Sequence, residues 1–333
     1  MDIEGKTVLI TGGAGFIGSH LVDRYIEEKA GEVIVYDNFA TGSEKFLKNK
    51  SVEIIKGDIL DATRMNEAMK DVNIVSHHAA ELEVFTGIDN TIHDLRTNIE
   101  GTINVLNAAL KNDVEKFIYA SSGGVYGQAH YTPEPENHPL MPHWPYGVSK
   151  LAGEKYCLQY YLLYGLPTTS LRYGIVYGPR EWYGRVLTLF IKRVMEGESP
   201  IIFGDGKQIR DYVYINDAVD ANILATKSDM SNGKVYNVGG NDYFSVNDVA
   251  NTVINLINPS INPIYDDPKP GESSKYQVNR KRLPGELKNF VLDSSLIAKE
   301  LNYSPKVKFQ DGVKREIEWL KENLKLWNCE PRV

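Results

Sequence analysis

Thr11-Gly12-Gly13-Ala14-Gly15-Phe16-Ile17-Gly18 follows the β-rich run Thr7 to Thr11 and opens a helical pattern from Ile17 to Glu28. Glycines between strand and helix permit a tight turn and a close backbone approach to a pyrophosphate. The helix start adds unsatisfied N–H donors and positive potential. Glycine-rich turns also serve packing alone, so the context has to decide. It does so nineteen positions after Gly18, where Asp37 closes the next β-rich run, Glu32 to Asp37. An acid there takes the hydroxyls of an adenosine ribose. The same carboxylate repels a 2′-phosphate, and Asn38-Phe39 brings no arginine to receive one, so the pattern points to NAD rather than NADP.

Further β-rich runs lie at Val52 to Lys56, Ile74 to His77, Phe117 to Ser121 and Thr168 to Arg172, alternating with helical patterns such as Thr97 to Lys111 and Tyr146 to Tyr164. That alternation predicts an α/β fold, a Rossmann-type doubly wound parallel sheet with helices on both faces. Right-handed crossovers bring the strand carboxyl ends, and with them the ligand crevice, to one edge. After Tyr177 the rhythm breaks into Gly178-Pro179, Gly204-Asp205-Gly206 and a polar stretch from Asp266 to Arg282. We therefore expect an NAD-binding domain over 1–177 and a smaller, mainly substrate-binding portion over 178–333. Val235 to Val238 is a candidate to return to the main sheet.

Of 333 residues, 42% are hydrophobic and 24% charged, with a net charge of −7. That balance suits a globular chain and offers no general basic field for nucleic acid. Cys157 and Cys329 have neither metal-ligand nor redox spacing and read as reduced thiols, with no metal site. Met1 to Lys6 does not resemble a signal peptide, and no apolar run is long enough to span a bilayer. The expectation is a cytoplasmic protein without a membrane partner.

Tyr146-Gly147-Val148-Ser149-Lys150 opens the helical stretch to Tyr164, and a spacing of four puts tyrosine and lysine on one helical face. A phenol titrates near pH 10 when unperturbed, too high for a good base at neutrality, and an adjacent ammonium favours the phenolate. Ser121 and Ser122 end the preceding strand at the crevice edge, so a hydroxyl there can bind a reacting alcohol oxygen. Alone, the Tyr–Lys spacing is common on amphipathic helices; joined to the glycine turn it reads as a proton relay beside a hydride acceptor.

These stretches, with Asp37 to Gly42, Gly57-Asp58-Ile59, His77 to Ala80, Asn98, Ser121 to Gly127, Leu171-Arg172-Tyr173, Val176 to Arg180 and Phe203 to Gly206 followed by Arg210-Asp211-Tyr212, closely resemble the extended short-chain dehydrogenase/reductases of the nucleotide-sugar epimerase/dehydratase family, UDP-glucose 4-epimerases above all. The resemblance implies Ser122, Tyr146 and Lys150 as the catalytic set. It implies a cofactor site of Gly12, Gly15, Phe16, Ile17, Asp37, Asn38, Thr41, Gly42, Asp58, Ile59, Ala79, Ala80, Asn98, Ser121, Tyr146, Lys150 and Tyr173. Ser122 and Tyr146 would also meet the sugar, Phe203 the nucleotide base, and Arg210 and Arg282 the diphosphate. For Phe203 a core role is nearly as good a reading, and for Arg282 the alternative is a solvated basic run through 280–282.

Gly123 and Gly124 stand where the family's dehydratases carry an acidic pair, so the resemblance favours oxidation and re-reduction at C4 of a UDP-linked hexose. Tyr146 would take the C4 hydroxyl proton as hydride passes to NAD. UDP-glucose and UDP-galactose lead, with UDP-uronates and N-acetylhexosamines behind. The alternatives are a nucleotide-sugar dehydrogenase or reductase, a dehydratase, or a silent NAD-binding protein. Two departures from the family pattern stand out, Ile175 where asparagine is usual and Gly174 where an aromatic is usual. The neighbouring segment Glu181-Trp182-Tyr183-Gly184-Arg185 is where discriminating contacts are expected. The helical patterns 97–111 and 146–164 are those that family members pair across a two-fold axis. The second carries Leu151, Leu158, Tyr161 and Leu162, which points to a homodimer.

Overall fold

A computed structural model describes residues 1–48, 50–181, 184–240 and 242–324. In chain order the strands are β1 (Thr7–Thr11), β2 (Glu32–Asp37), β3 (Glu53–Lys56), β4 (Ile74–His77), β5 (Lys116–Ser122), β6 (Thr168–Tyr173), β7 (Ile175–Tyr177), β8 (Ile201–Phe203), β9 (Ile209–Tyr214), β10 (Lys234–Val238), β11 (Tyr243–Ser245), β12 (Ile264–Asp266) and β13 (Asn289–Phe290). Seven form one sheet in the order β10-β6-β5-β4-β1-β2-β3, and every neighbouring pair is parallel.

Burial explains the strand composition. Val8, Ile10, Val33, Val35 and Ile118 enter the core on one face, while Leu9, Ile34, Tyr36, Phe117 and Tyr119 enter the core on the other. Side chains alternate between faces, and both faces are covered, so the strands read as nearly continuous apolar runs. The order reverses beside β1, with β2 and β3 on one side and β4, β5 and β6 on the other, which opens a crevice at the carboxyl edge.

The helix Pro145–Tyr164 starts with proline in its first turn, where the missing N–H costs nothing, and ends at Gly165 with φ 75°. The region read as one helix over Thr97–Lys111 begins in a π-helical turn, Arg96–Glu100, and continues as a helix, Gly101–Lys111, with a short helix Thr91–Leu95 just before it. Strand β10 comes after β9 in the chain yet pairs with β6 in the main sheet. Strands β7, β11 and β13 pair with β9 in a second sheet, and β8 pairs with β12.

On the helix Pro145–Tyr164, Leu151, Leu158 and Tyr161 are half-buried, and Leu162 is exposed. Tyr161 packs over Gly233. Among the described residues no helix is long and apolar enough to cross a membrane, and no cluster of His, Cys, Asp or Glu could hold a metal ion. Cys157 is buried; Cys329 lies outside the described residues.

Candidate active site

The carboxyl edge of the main sheet opens on a cleft of about 680 Å³. Of the residues singled out from sequence, Gly12, Gly15, Phe16, Ile17, Asp37, Asn38, Thr41, Asp58, Ile59, Ala79, Ala80, Ser121, Ser122, Tyr146, Lys150, Tyr173, Phe203 and Arg210 all line it.

Gly12 has φ +68°, and a Cβ there would lie 2.8 Å from the Ala79 amide nitrogen, so both backbone and space demand glycine. Gly15 caps the helix Phe16–Glu27 without a side chain, leaving first-turn N–H groups directed at the cleft end. Asp37 Oδ2 accepts from Ala14 N at 2.9 Å and Oδ1 from Phe39 N at 2.8 Å, tying the acid to the glycine turn. Burial raises its pKa against those two amides. Asn38 Nδ2 donates to Asp58 Oδ2 at 3.1 Å and Tyr36 OH to the Asp58 carbonyl at 3.0 Å, fixing the neighbouring wall.

Further along, Ser122 Oγ accepts from Gly124 N at 3.0 Å, and its hydroxyl acts on the Tyr146 phenol in the direction that favours the phenolate. Lys150 Nζ donates to the Ala120 carbonyl at 2.8 Å and lies 5.8 Å from the Tyr146 ring centroid. Burial brings Lys150 down to about 8, with Asp94 opposing. Burial raises the Tyr146 pKa; the Arg185 charge and the Ser122 hydrogen bond oppose it, and Asp94 adds to it. The cation that lowers the phenol's pKa here is Arg185, which also lines the cleft. The sequence reading gave that work to Lys150 alone. Ser121 turns its hydroxyl away, to Glu154 Oε2 at 3.1 Å. Glu154 is paired with Arg172 at 2.6 Å, and both side chains are buried.

On the facing wall the Arg280 guanidinium covers the Phe203 ring at 4.3 Å from its centroid and donates to the Ile201 carbonyl at 2.7 Å. Arg210 lies beside it in the cleft, anchored to the Ile209 carbonyl at 2.9 Å and 3.6 Å from Glu286. Ile175 lines the same space. Glu181 is buried, pushed up to about 7 by that burial, with Arg185 opposing at 3.8 Å. Trp182 and Tyr183, central to the segment expected to discriminate substrates, lie outside the described residues.

Residues 8–239 match the family described as NAD dependent epimerase/dehydratase. The chain belongs to that family. A provisionally named UDP-glucose 4-epimerase of Methanocaldococcus jannaschii is 38% identical over 322 residues, covering 95% of this chain and 99% of the relative. A UDP-N-acetyl-alpha-D-glucosaminuronate decarboxylase of Bacillus cytotoxicus is 34% identical over 327 residues, 95% and 98% of the two chains. The crystal structure of a UDP-glucose 4-epimerase of Thermotoga maritima with UDP-glucose superposes with a TM-score of 0.86 at 34% identity, covering 96% of this chain and 99% of that one. The seven-stranded parallel sheet is thus the epimerase/dehydratase fold, and its cofactor is NAD. The glycine turn that a Cβ would fill and the acid closing β2 suit that dinucleotide.

Three residues assigned by resemblance within this epimerase/dehydratase chain do not line the cleft. Asn98 sits buried in the π-helical turn. Its Nδ2 reaches the Glu81 carbonyl (3.0 Å), Asp94 Oδ2 (2.9 Å) and Ser149 Oγ (3.1 Å), while Oδ1 accepts from Glu81 N at 2.8 Å. It ties the 79–83 wall to the helix bearing Lys150. Gly42 lies behind Asp37, where a Cβ would come within 2.8 Å of Ala14 Cβ. Arg282 pairs with Asp267, donates to the Pro268 carbonyl at 3.0 Å and lies 3.7 Å from Glu286. Arg280 and Lys281, earlier in the same run, line the cleft instead. The sequence reading chose Arg282 and took the run 280–282 only as its solvated alternative, because spacing to Pro284-Gly285 does not say which members turn inward.

Proposed function

We propose that this chain interconverts the C4 epimers of a UDP-linked hexose, UDP-glucose and UDP-galactose first, by oxidation and re-reduction in one site. The observation that carries the reading is the meeting of Ser122, Tyr146 and Lys150 in a cleft where Gly123 and Gly124 follow the serine without an acid. NAD, when bound, supplies the acceptor and then the donor of hydride at the sugar C4. Ser122 holds the C4 oxygen, and Tyr146 takes the hydroxyl proton and later returns it. Lys150 and Arg185 favour the phenolate form of Tyr146. Asp37 receives the adenosine ribose, and the amides at the Phe16 helix start receive the pyrophosphate. Arg210 and Arg280 hold the substrate diphosphate and Phe203 the base. Binding energy then comes from the nucleotide, leaving the 4-keto sugar free to present its other face.

The test incubates purified protein, without added cofactor, with a panel of UDP-sugars and follows stereochemistry by chromatography. Interconversion without net NADH supports the epimerase; stoichiometric NAD reduction without an epimer replaces it with a dehydrogenase.

A second reading, a UDP-hexuronate substrate, is favoured by Arg185 in the cleft beside Tyr146, since a guanidinium suits a sugar carboxylate. The glucosaminuronate relative agrees with it. Arg185→Ala should then raise KM for UDP-glucuronate by about 10- to 100-fold and leave KM for UDP-glucose within about threefold. We also assign this chain to the cytoplasm and propose that it pairs with a second copy through Ile92, Leu95, Val148, Tyr156 and Leu163, all exposed on neighbouring helices. A monomer mass at micromolar concentration sinks the pairing.

A further inference from the structure

Gly123 directly follows Ser122, and its backbone is not in the left-handed region that would itself demand glycine. Space demands it instead. A Cβ at 123 would overlap the edge of the Phe290 ring and come within 3.1 Å of Leu292 Cδ2. At Gly124, by contrast, the nearest atom to an added Cβ is Ser122 Oγ at 3.3 Å.

Phe290 is itself held from several directions. It pairs with Arg210 across β13 and β9. Glu134 accepts from Val291 N at 2.8 Å and donates its own N–H to the Val291 carbonyl at 2.7 Å. Asp211 accepts from Leu292 N at 3.1 Å, and Asn237 Nδ2 donates to the Asp293 carbonyl at 3.1 Å. A ring so anchored does not yield cheaply to a new side chain.

We propose that Phe290 and Gly123 form a complementary pair through which the segment 288–294 positions Ser122 and bars a proton-carrying side chain at position 123. This rests on Ser122 acting as in the proposed function. Position 123 is one of the two places where, by the resemblance drawn from the sequence, dehydratases carry an acid, and the pair keeps such a side chain out. Phe290 is here a positioning residue for Ser122 and a determinant of reaction type.

The test is a set of variants made in the full chain and purified with NAD: Gly123→Ala, Phe290→Ala, the double variant, and Gly123→Ala in a Ser122→Ala background. Gly123→Ala should lower kcat by about 100-fold with KM nearly unchanged, the scale of a displacement of about 1 Å at a reacting group. Phe290→Ala should return about tenfold of that loss, because the two sites share one volume. In the Ser122→Ala background Gly123→Ala should change the residual kcat by less than about threefold. Additive losses in the double variant, or an undiminished loss without the serine, overturn the proposal. If Gly123→Ala does not fold, folding of the double variant is the rescue, and its failure to fold counts against the pair. If the parent converts no UDP-sugar, the functional reading fails separately. Melting temperatures of the four proteins still decide the pair, non-additive shifts supporting it and additive ones removing it.

Discussion

Glu154→Gln should be among the most damaging isosteric changes outside the cleft. Glu154 accepts from Arg172 Nη2 at 2.6 Å and Nε at 2.9 Å, with side-chain exposures of 1% and 3%. Two unit charges about 4 Å apart at an effective dielectric near 20 attract by about 4 kcal/mol. Glutamine keeps the shape and one acceptor oxygen but removes the charge and sets an NH2 against one guanidinium N–H, leaving Arg172 that oxygen, Tyr126 OH at 2.7 Å and the Glu136 carbonyl at 2.9 Å. Breaking a buried pair from one side costs about 3–5 kcal/mol. For a chain of 333 residues that lowers the melting midpoint by roughly 4–7 °C. Denaturant titration of parent and variant measures it. The double variant Glu154→Met/Arg172→Met should recover most of the loss, because apolar replacement of both partners is close to neutral. A loss under about 1 kcal/mol for Glu154→Gln refutes the reasoning, since the guanidinium would then have been satisfied without its carboxylate.

Asp37→Ala removes an acceptor of the Ala14 amide as well as the proposed ribose ligand, and should weaken NAD binding by about 10- to 100-fold in equilibrium dialysis. Gly12→Ala meets both a φ of +68° and the Ala79 amide, so the protein should purify without bound NAD, read by absorbance of the deproteinised extract. Turnover should fall as pH rises through about 8, where Lys150 loses its proton, and Lys150→Arg should shift that limb upward. Stability should rise as pH is lowered from 8 toward 6.5. Glu134 and Glu181 at about 7 and Asp211 at about 6 lie above their unfolded values, so their cost is present at high pH and removed on protonation. Below 6.5 the gain should flatten, because His20 and His78, held at about 3, bind protons in the unfolded chain first. Glu134→Gln should reduce the upper slope of midpoint against pH; an unchanged slope removes Glu134 from the account.

The main sheet was legible because its strands are buried on both faces. Val8, Leu9 and Ile10 all enter a core, so β1, β2 and β4 begin and end where the apolar runs do. Where a π-helical turn interrupts the helical pattern near Asn98, periodicity is silent, since the residues remain helical in spacing. The same turn carries Asn98 inward to Glu81 and Ser149, a tertiary contact that no local pattern announces. Arg282 and Arg280 differ only in which one meets Asp267 and which covers Phe203, and that is decided by loop geometry. Tyr146, Lys150 and Asp37 were readable because helix spacing and strand ends place them whatever the loops do.

The return of β10 to the edge of β6 has a consequence for how this protein is made. A ribosome must release the chain beyond Val238 before the seventh strand can close against Thr168–Tyr173, by which time β9 and the helix Ile215–Lys227 have already emerged. The nascent cofactor half therefore carries an open, hydrogen-bonding edge through much of its synthesis, a surface that invites pairing with neighbouring chains. A gene cut after residue 177 should yield an insoluble first half on its own. Co-expression with 178–333 should restore solubility, the missing strand being supplied from the other piece.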